Sequence, residues 1–297
     1  QFMRRKGGGG GGDGDGIDAV SAGGKRKSLR DLPGVEPRAL AQALLAHEVR
    51  TRLRIGAREL LYWNGKDSDT SRCRNVLPLL EHFDRLSYWV AEEVLHLDFN
   101  ARQRAEMVEN WIAVAHESLL LRNFNATFAI VTALRAFYIQ RLETAWSMLS
   151  KSVMERFRAL EEVVAAANNN RAYRKACGRL GEEAYCDAVT VSLKDLATAK
   201  MAVKADAKAI KGRADDGGDI PFGKWTQIAH IVTNELLRCQ SRPFPSASLS
   251  ADATLVLLIR HGLACDKTAE QLNEMSQEAN LRENQALEES LEEAGFF

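Results

Sequence analysis

The 297-residue chain has no apolar run approaching the ~18 residues of a membrane span, and its glycine-rich start has no apolar core of a secretion signal. The compartment expected from that pattern is the cytosol. Lysine plus arginine and aspartate plus glutamate balance at 40 each, so no basic excess displaces counterions from DNA or RNA, and general nucleic-acid binding is excluded. Cysteine is sparse: Cys73, Cys177, Cys186, Cys239 and Cys265 are odd in number and never form C-x-x-C. Neither a disulfide framework nor a zinc knuckle follows, and the thiols are expected to be reduced and mostly buried. Six scattered histidines give no metal cluster, and His116-Glu117 lacks a second histidine at position 120, where a zincin motif would need one. No metal and no cofactor is called for.

What is present is apolar material for a large core, 45% of the chain. Residues 1–32 are read as a disordered glycine-rich and basic linker, because 10 of the 21 glycines fall in the first 30 residues beside Arg4-Arg5-Lys6 and Lys25-Arg26-Lys27. Those basic clusters suit either contact with an acidic membrane surface or simple solubilisation. No G-K-[ST] follows the glycine run, so it is not a phosphate loop. A chain that opens on Gln1 is expected to be a segment of a longer polypeptide.

From Pro33 onward the apolar period is helical, which predicts an all-α domain over 33–284 and an acidic tail over 285–297. Asn100 with Gln103 reads as a capping box, followed by Met107, Val108, Trp111, Ile112, Ala115 and Leu119 on one stripe. Asn125 is taken as the cap of the next helix, and Asn168-Asn169-Asn170 as a turn. Trp89, Trp111 and Trp146 are assigned to the core. Between Leu193 and Lys211 the apolar residues after Leu196 are almost all alanine, giving high helix propensity with little to bury. Lys200, Lys204 and Lys208 form one line that reads as an exposed face. Asp215-Asp216-Gly217-Gly218 supplies a turn, and Phe222, Trp225, Ile228, Val232 and Leu236 form a returning amphipathic stripe. A projecting antiparallel hairpin over 190–238 follows, braced from behind by Leu193, Leu196, Phe222 and a buried Trp225.

Enzymatic motifs are weak. Arg260-His261-Gly262 has the spelling of a histidine-phosphatase element, but no histidine follows it. Glu92-Glu93, Glu161-Glu162 and Glu182-Glu183 are adjacent pairs whose carboxylates diverge on a helix, as on solvated faces.

Taken in order, the blocks resemble the catalytic domain of Ras-family guanine-nucleotide exchange factors. Pro37 to Glu48 with Glu59-Leu60, Phe83-Asp84-Arg85-Leu86-Ser87-Tyr88-Trp89-Val90, and Asn123-Phe124-Asn125 through Ala129-Ile130, Ala133-Leu134, Arg141-Leu142 and Trp146 carry the resemblance. Leu193-Lys194-Asp195-Leu196, Ile220-Pro221-Phe222-Gly223 and Arg242-Pro243-Phe244 follow in the same order. The resemblance implies a helical bowl of core helices, a Ras-like small GTPase as partner, and a hairpin pushed beside the nucleotide without covalent chemistry. It places Ala197, Lys200 and Met201 in the acting region of the hairpin, with Ala197 where the family has an apolar wedge and Met201 where it has a glutamate. It implies GTPase contacts at Leu77, Leu80, Glu81, Thr132, Arg135, Gln140, Ala188 and Asn280. Arg141 is read as structural first and a GTPase contact second. Two functions stay open: exchange, and a binding module that holds a GTPase or helical partner without ejecting nucleotide.

Overall fold

The structure, a computed structural model, describes residue 29 and residues 34–65, 71–211 and 222–294; for residues 206–211 it describes the backbone. Every regular element among these residues is helical. The first half of the body is α1 (Pro37–Arg52), α2 (Ala57–Tyr62), α3 (Val76–Val94), α4 (Ala101–Leu120), α5 (Phe124–Leu134), α6 (Phe137–Gln140) and α7 (Glu143–Ser147). Then come α8 (Lys151–Val164), α9 (Ala167–Arg179), α10 (Val189–Lys211), and α11 (Phe222–His230), which continues as a π-helix over Ile231–Leu236. The short α12 (Arg238–Ser241), a 3₁₀ turn at Ser246–Leu249, α13 (Ala253–Gly262) and α14 (Ala269–Glu293) complete the chain.

Local chemistry sets most of these boundaries. Asn100 Oδ1 accepts the Gln103 amide at 2.9 Å while the Gln103 side chain accepts the Asn100 N–H at 3.1 Å, so the expected capping box starts α4. Thr268 and Gln271 do the same for α14. The cap of α5 is Asn123, whose side chain accepts from Ala126 N at 3.1 Å, and not the expected Asn125, which lies fully buried inside the helix. Asn168, Asn169 and Asn170 all have left-handed φ, +49°, +56° and +55°, the backbone region that asparagine tolerates better than most residues. The chain turns there as expected.

The core forms where α3 and α4 pack around α5, with α1 against α4 and α8 closing the far side. Trp89 and Trp111 meet edge to face at 5.2 Å in its centre, and both are buried. Trp146 is half-buried and donates its indole N–H to Ile139 O at 3.0 Å. Gly262 explains the phosphatase-like spelling by packing: a Cβ there would lie 2.2 Å from the Trp89 ring, so α13 crosses α3 only with glycine at that point.

Two expected boundaries shift. The tail expected from residue 285 falls inside α14, which runs unbroken to Glu293 and is exposed over its last turns. Leu29, assigned to the linker, is 5% exposed, packs in the core and directs its N–H to the Glu93 carboxylate at 3.3 Å. The rest of the 1–32 linker expectation, and the turn at 215–218, lie outside the described residues.

Candidate functional site: a rooted helical hairpin

Along α10 the buried positions among those described are Val189, Val191, Ser192, Leu193, Leu196 and Ala199, with Val203 half-buried beyond them. Beyond them Met201 is 70% exposed, and Lys204 and Ala205 also face solvent. The returning arm repeats the gradient, with Ile228, Ile231, Val232 and Leu236 buried, whereas Trp225 is 47% and Phe222 78% exposed. The hairpin is packed on the body at its root, and Met201, Lys204, Ala205, Phe222 and Trp225 farther out are exposed, as the alanine-rich sequence predicts. Leu193 and Leu196 are buried at the root. Phe222 and Trp225, expected as support, are exposed instead. The apolar support comes from Ile228 through Leu236.

Lys200 is a second departure. Its ammonium donates to Leu61 O and Trp63 O, each at 2.5 Å, and so satisfies carbonyls left open at the C-terminus of α2. Burial, with Lys204 nearby, lowers its pKa from the ordinary value. Lys200 thus ties the first arm to the body instead of lying on an exposed lysine face.

The root itself is held by buried polar groups. Arg52 donates from Nη1 to the Asp187 carboxylate, from Nη2 to Asp187 O at 2.8 Å and from Nε to Glu48 Oε1 at 2.7 Å. Asn125 donates to both Glu48 oxygens at 3.1 Å and accepts the Val189 N–H at 3.2 Å, while Tyr173 Oη accepts the Ala188 N–H at 3.1 Å. Three consecutive residues entering α10 are therefore fixed by side chains of α1, α5 and α9. Burial alone would raise the Glu48 carboxyl, but Arg52, His82 and Asn125 outweigh it and hold the pKa at about 2. On the other arm, Arg238 donates to Glu183 O at 2.8 Å and to Gly181 O, and stacks 4.4 Å over the Tyr185 ring. A cavity of about 500 Å³ lies behind this root, lined in part by Tyr173, Arg174, Glu235 and Arg238. Burial, followed by the charge of Asp187, pushes the Glu235 pKa up to about 7 there.

The remaining predicted positions sort by burial. Leu77 and Leu80 are half-buried and Glu81 exposed on α3; Thr132 and Arg135 are exposed at the end of α5; Gln140 is exposed at the end of α6; Asn280 is half-buried on α14. These elements touch one another, α3 against α5 and α14, and α14 against α6. Gln140 Nε2 donates to Leu134 O at 2.8 Å, which sets it beside Arg135, and Arg135 pairs with Glu161 at 3.2 Å. Phe137, 61% exposed with the Arg141 guanidinium 5.5 Å over its ring, belongs to this surface and was not singled out from sequence. Ala188 is fully buried, so its assignment as a GTPase contact is corrected: it is part of the root. Ala197 is half-buried and Met201 exposed, one turn apart on α10. Among the described residues no group of three or more His, Cys, Asp or Glu side chains is placed to hold a metal, and no helix is long and apolar enough to cross a membrane.

Comparison with known proteins returns a match of the RasGEF domain model to residues 39–226. The chain belongs to the RasGEF domain family. It is 29% identical over 128 residues to Ral guanine nucleotide dissociation stimulator-like 1 of Mus musculus, covering 42% of this chain and 17% of that protein. It is 28% identical over 158 residues to Ras guanine nucleotide exchange factor E of Dictyostelium discoideum, 52% of this chain and 15% of that one. Guanine nucleotide-releasing factor 2 of Drosophila melanogaster is 31% identical over 154 residues, 52% of this chain and 9% of that protein. The aligned segments span less than a fifth of each of these longer relatives. The RasGEF match ends within α11, so α12, α13 and α14 lie beyond the matched residues.

Proposed function

We propose that this RasGEF domain promotes GDP release from a Ras-like small GTPase by presenting the outer half of the hairpin beside the nucleotide. The observation that carries the reading is the division of the hairpin into a fixed root and an exposed outer half. A wedge needs both parts: a base that does not yield, and a face that a partner can meet. The relatives' names, which describe Ras and Ral exchange or dissociation factors, support the same partner class.

The task is thermodynamic linkage. A protein that binds the empty GTPase more tightly than the loaded one weakens nucleotide binding by the same factor. A nucleotide held at picomolar strength is bound by about 16 kcal/mol. Accelerating its release on the order of 10⁵-fold requires a barrier roughly 7 kcal/mol lower. No nucleophile or general base is required. The acting residues in this reading are Met201 and Ala197 on α10, joined by the exposed rings of Phe222 and Trp225 on α11, with Leu77, Leu80, Glu81, Thr132, Arg135, Gln140 and Asn280 as the contact surface on the body. The domain acts in the cytoplasm, recruited to the inner membrane surface, as one part of a larger polypeptide.

A second reading rests on Met201 and Ala197 themselves. A thioether stands where the family carries a carboxylate, and a methyl where it carries a larger wedge, so the domain would hold a GTPase without ejecting nucleotide. Release of a fluorescent nucleotide from a panel of Ras-like GTPases separates the two. Acceleration on any member supports exchange; binding without acceleration on every member supports the module.

A further inference from the structure

Both arms of the hairpin enter the body through one small cluster, separate from the main core, made of Leu45, Val49, Ala184, Cys186, Cys239 and Phe244. Cys186 lies three residues before α10, and Cys239 three residues after the π-helix of the returning arm. The two chain segments are stitched together on either side of the cysteines. Arg238 donates to Glu183 O and Gly181 O, Arg242 pairs with Glu182, and Gln240 Nε2 donates to Arg52 O at 2.8 Å while the Arg52 side chain binds Asp187. Cys186 is further fixed by its backbone, accepting from Phe124 N and donating to Arg122 O, each at 3.0 Å. Both thiols lie in this cluster, Cys186 at 0% and Cys239 at 3% exposure, near enough for each to shift the other's pKa.

We propose that Cys186 and Cys239 are a modification site, a dithiol that a peroxide closes to a disulfide across the base of the hairpin. The other cysteines lie elsewhere: Cys73 and Cys265 are in the main core, and Cys177 is half-buried in the cleft lined by Tyr173 and Arg238. The neighbouring Cys186 thiol lowers the Cys239 pKa, with the Arg52 guanidinium acting in the same direction, while burial raises that of Cys186. Cys239 is therefore the attacking thiol. Its thiolate sulfur bonds to one oxygen of hydrogen peroxide, the O–O bond breaks, and the departing hydroxide takes up a proton to become water. The Cys239 sulfenic acid is then attacked by the Cys186 sulfur. The S–O bond breaks and hydroxide leaves with the Cys186 proton as a second water. In sum, two thiols lose two electrons and two protons, and one peroxide becomes two waters. The bond encloses roughly 50 residues, the whole hairpin, in a covalent loop. It holds the two roots at one spacing and is undone by a reducing thiol. The site stands independently of whether the hairpin ejects nucleotide.

The test uses the full chain, treated with hydrogen peroxide, unfolded, alkylated and mapped by mass spectrometry without reduction. The expected result is a mass loss of two hydrogens, a linked peptide pair containing Cys186 and Cys239, reversal by dithiothreitol, and absence of the link in Cys239→Ser. A chain in which both cysteines are recovered alkylated after exposure that oxidises its methionines overturns the proposal. So does a disulfide that joins either cysteine to Cys73, Cys177 or Cys265. The wild-type map alone decides the matter if the serine variant does not fold.

Discussion

The guanidinium of Arg52 grips Asp187 twice, at its carboxylate and, at 2.8 Å, at its backbone carbonyl, with all three groups out of contact with water. A helix-one side chain thereby fixes the residue two positions before the hairpin's first helix. The grip sets where α10 leaves the body, and the packed half of the hairpin sets how far it projects.

Removing one partner of that pair leaves the other charge buried alone. Arg52→Met is expected to cost about 3 to 5 kcal/mol of stability. Urea denaturation of the wild-type and variant chains measures it. A change under about 1 kcal/mol would show that Arg52 does not hold the root.

Lys200→Met removes the two hydrogen bonds to α2 while keeping the aliphatic stem. The expected stability loss is only about 1 kcal/mol. The discriminating readout is amide hydrogen exchange, which should quicken along α10 near Lys200 while protection in α4 and α5 stays unchanged. Equal protection throughout α10 would contradict a bracing role.

Trp225 reads from sequence as a buried aromatic, whose truncation costs about 3 to 5 kcal/mol. With 47% of its surface exposed, Trp225→Ala should instead change stability by less than about 1.5 kcal/mol and reduce GTPase capture several-fold. A large stability loss with unchanged capture would return Trp225 to the supporting role.

Glu235 makes the root sensitive to pH. Its folded pKa of about 7 lies above the ordinary 4.5, so the folded state holds the proton more tightly than the unfolded one. Stability is then full below pH 4.5 and declines as pH rises through 7, by on the order of 1 to 3 kcal/mol. Asp187, Asp195 and Arg174 are the charges that face it, with burial the larger cause. Glu235→Gln should flatten the decline between pH 5 and pH 7.5 in thermal melts, and a slope equal to that of the wild type would contradict the assignment. Glu48 acts in the opposite sense, since its folded pKa of about 2 gives stability that is present above pH 4.5 and lost toward pH 2.

The helical class, the hairpin and its exposed outer half were legible because they follow from period and propensity. Asn100 and Gln103 announce α4 by local bonds alone. Long-range partners were hidden. Asn125 reads as a cap because asparagine caps helices, yet Asn123 takes that role, leaving the Asn125 amide to bind Glu48 and Val189 across the core. Lys200 looks solvated beside Lys204 until α2 supplies its carbonyls. Ala188 aligns with a contact position but points inward, because Tyr173, Asn125 and Arg52 draw the root into the body. Trp225 carries the stripe of a packing residue, yet 47% of its surface is exposed.

The central claim, that the hairpin favours an empty GTPase, is tested most directly by comparing two affinities on the immobilised domain. A panel of Ras-like GTPases is applied once loaded with GDP and magnesium and once stripped of nucleotide. At least one member is predicted to bind on the order of 100-fold more tightly when empty. Equal affinity for the empty and loaded forms across the panel would contradict the account.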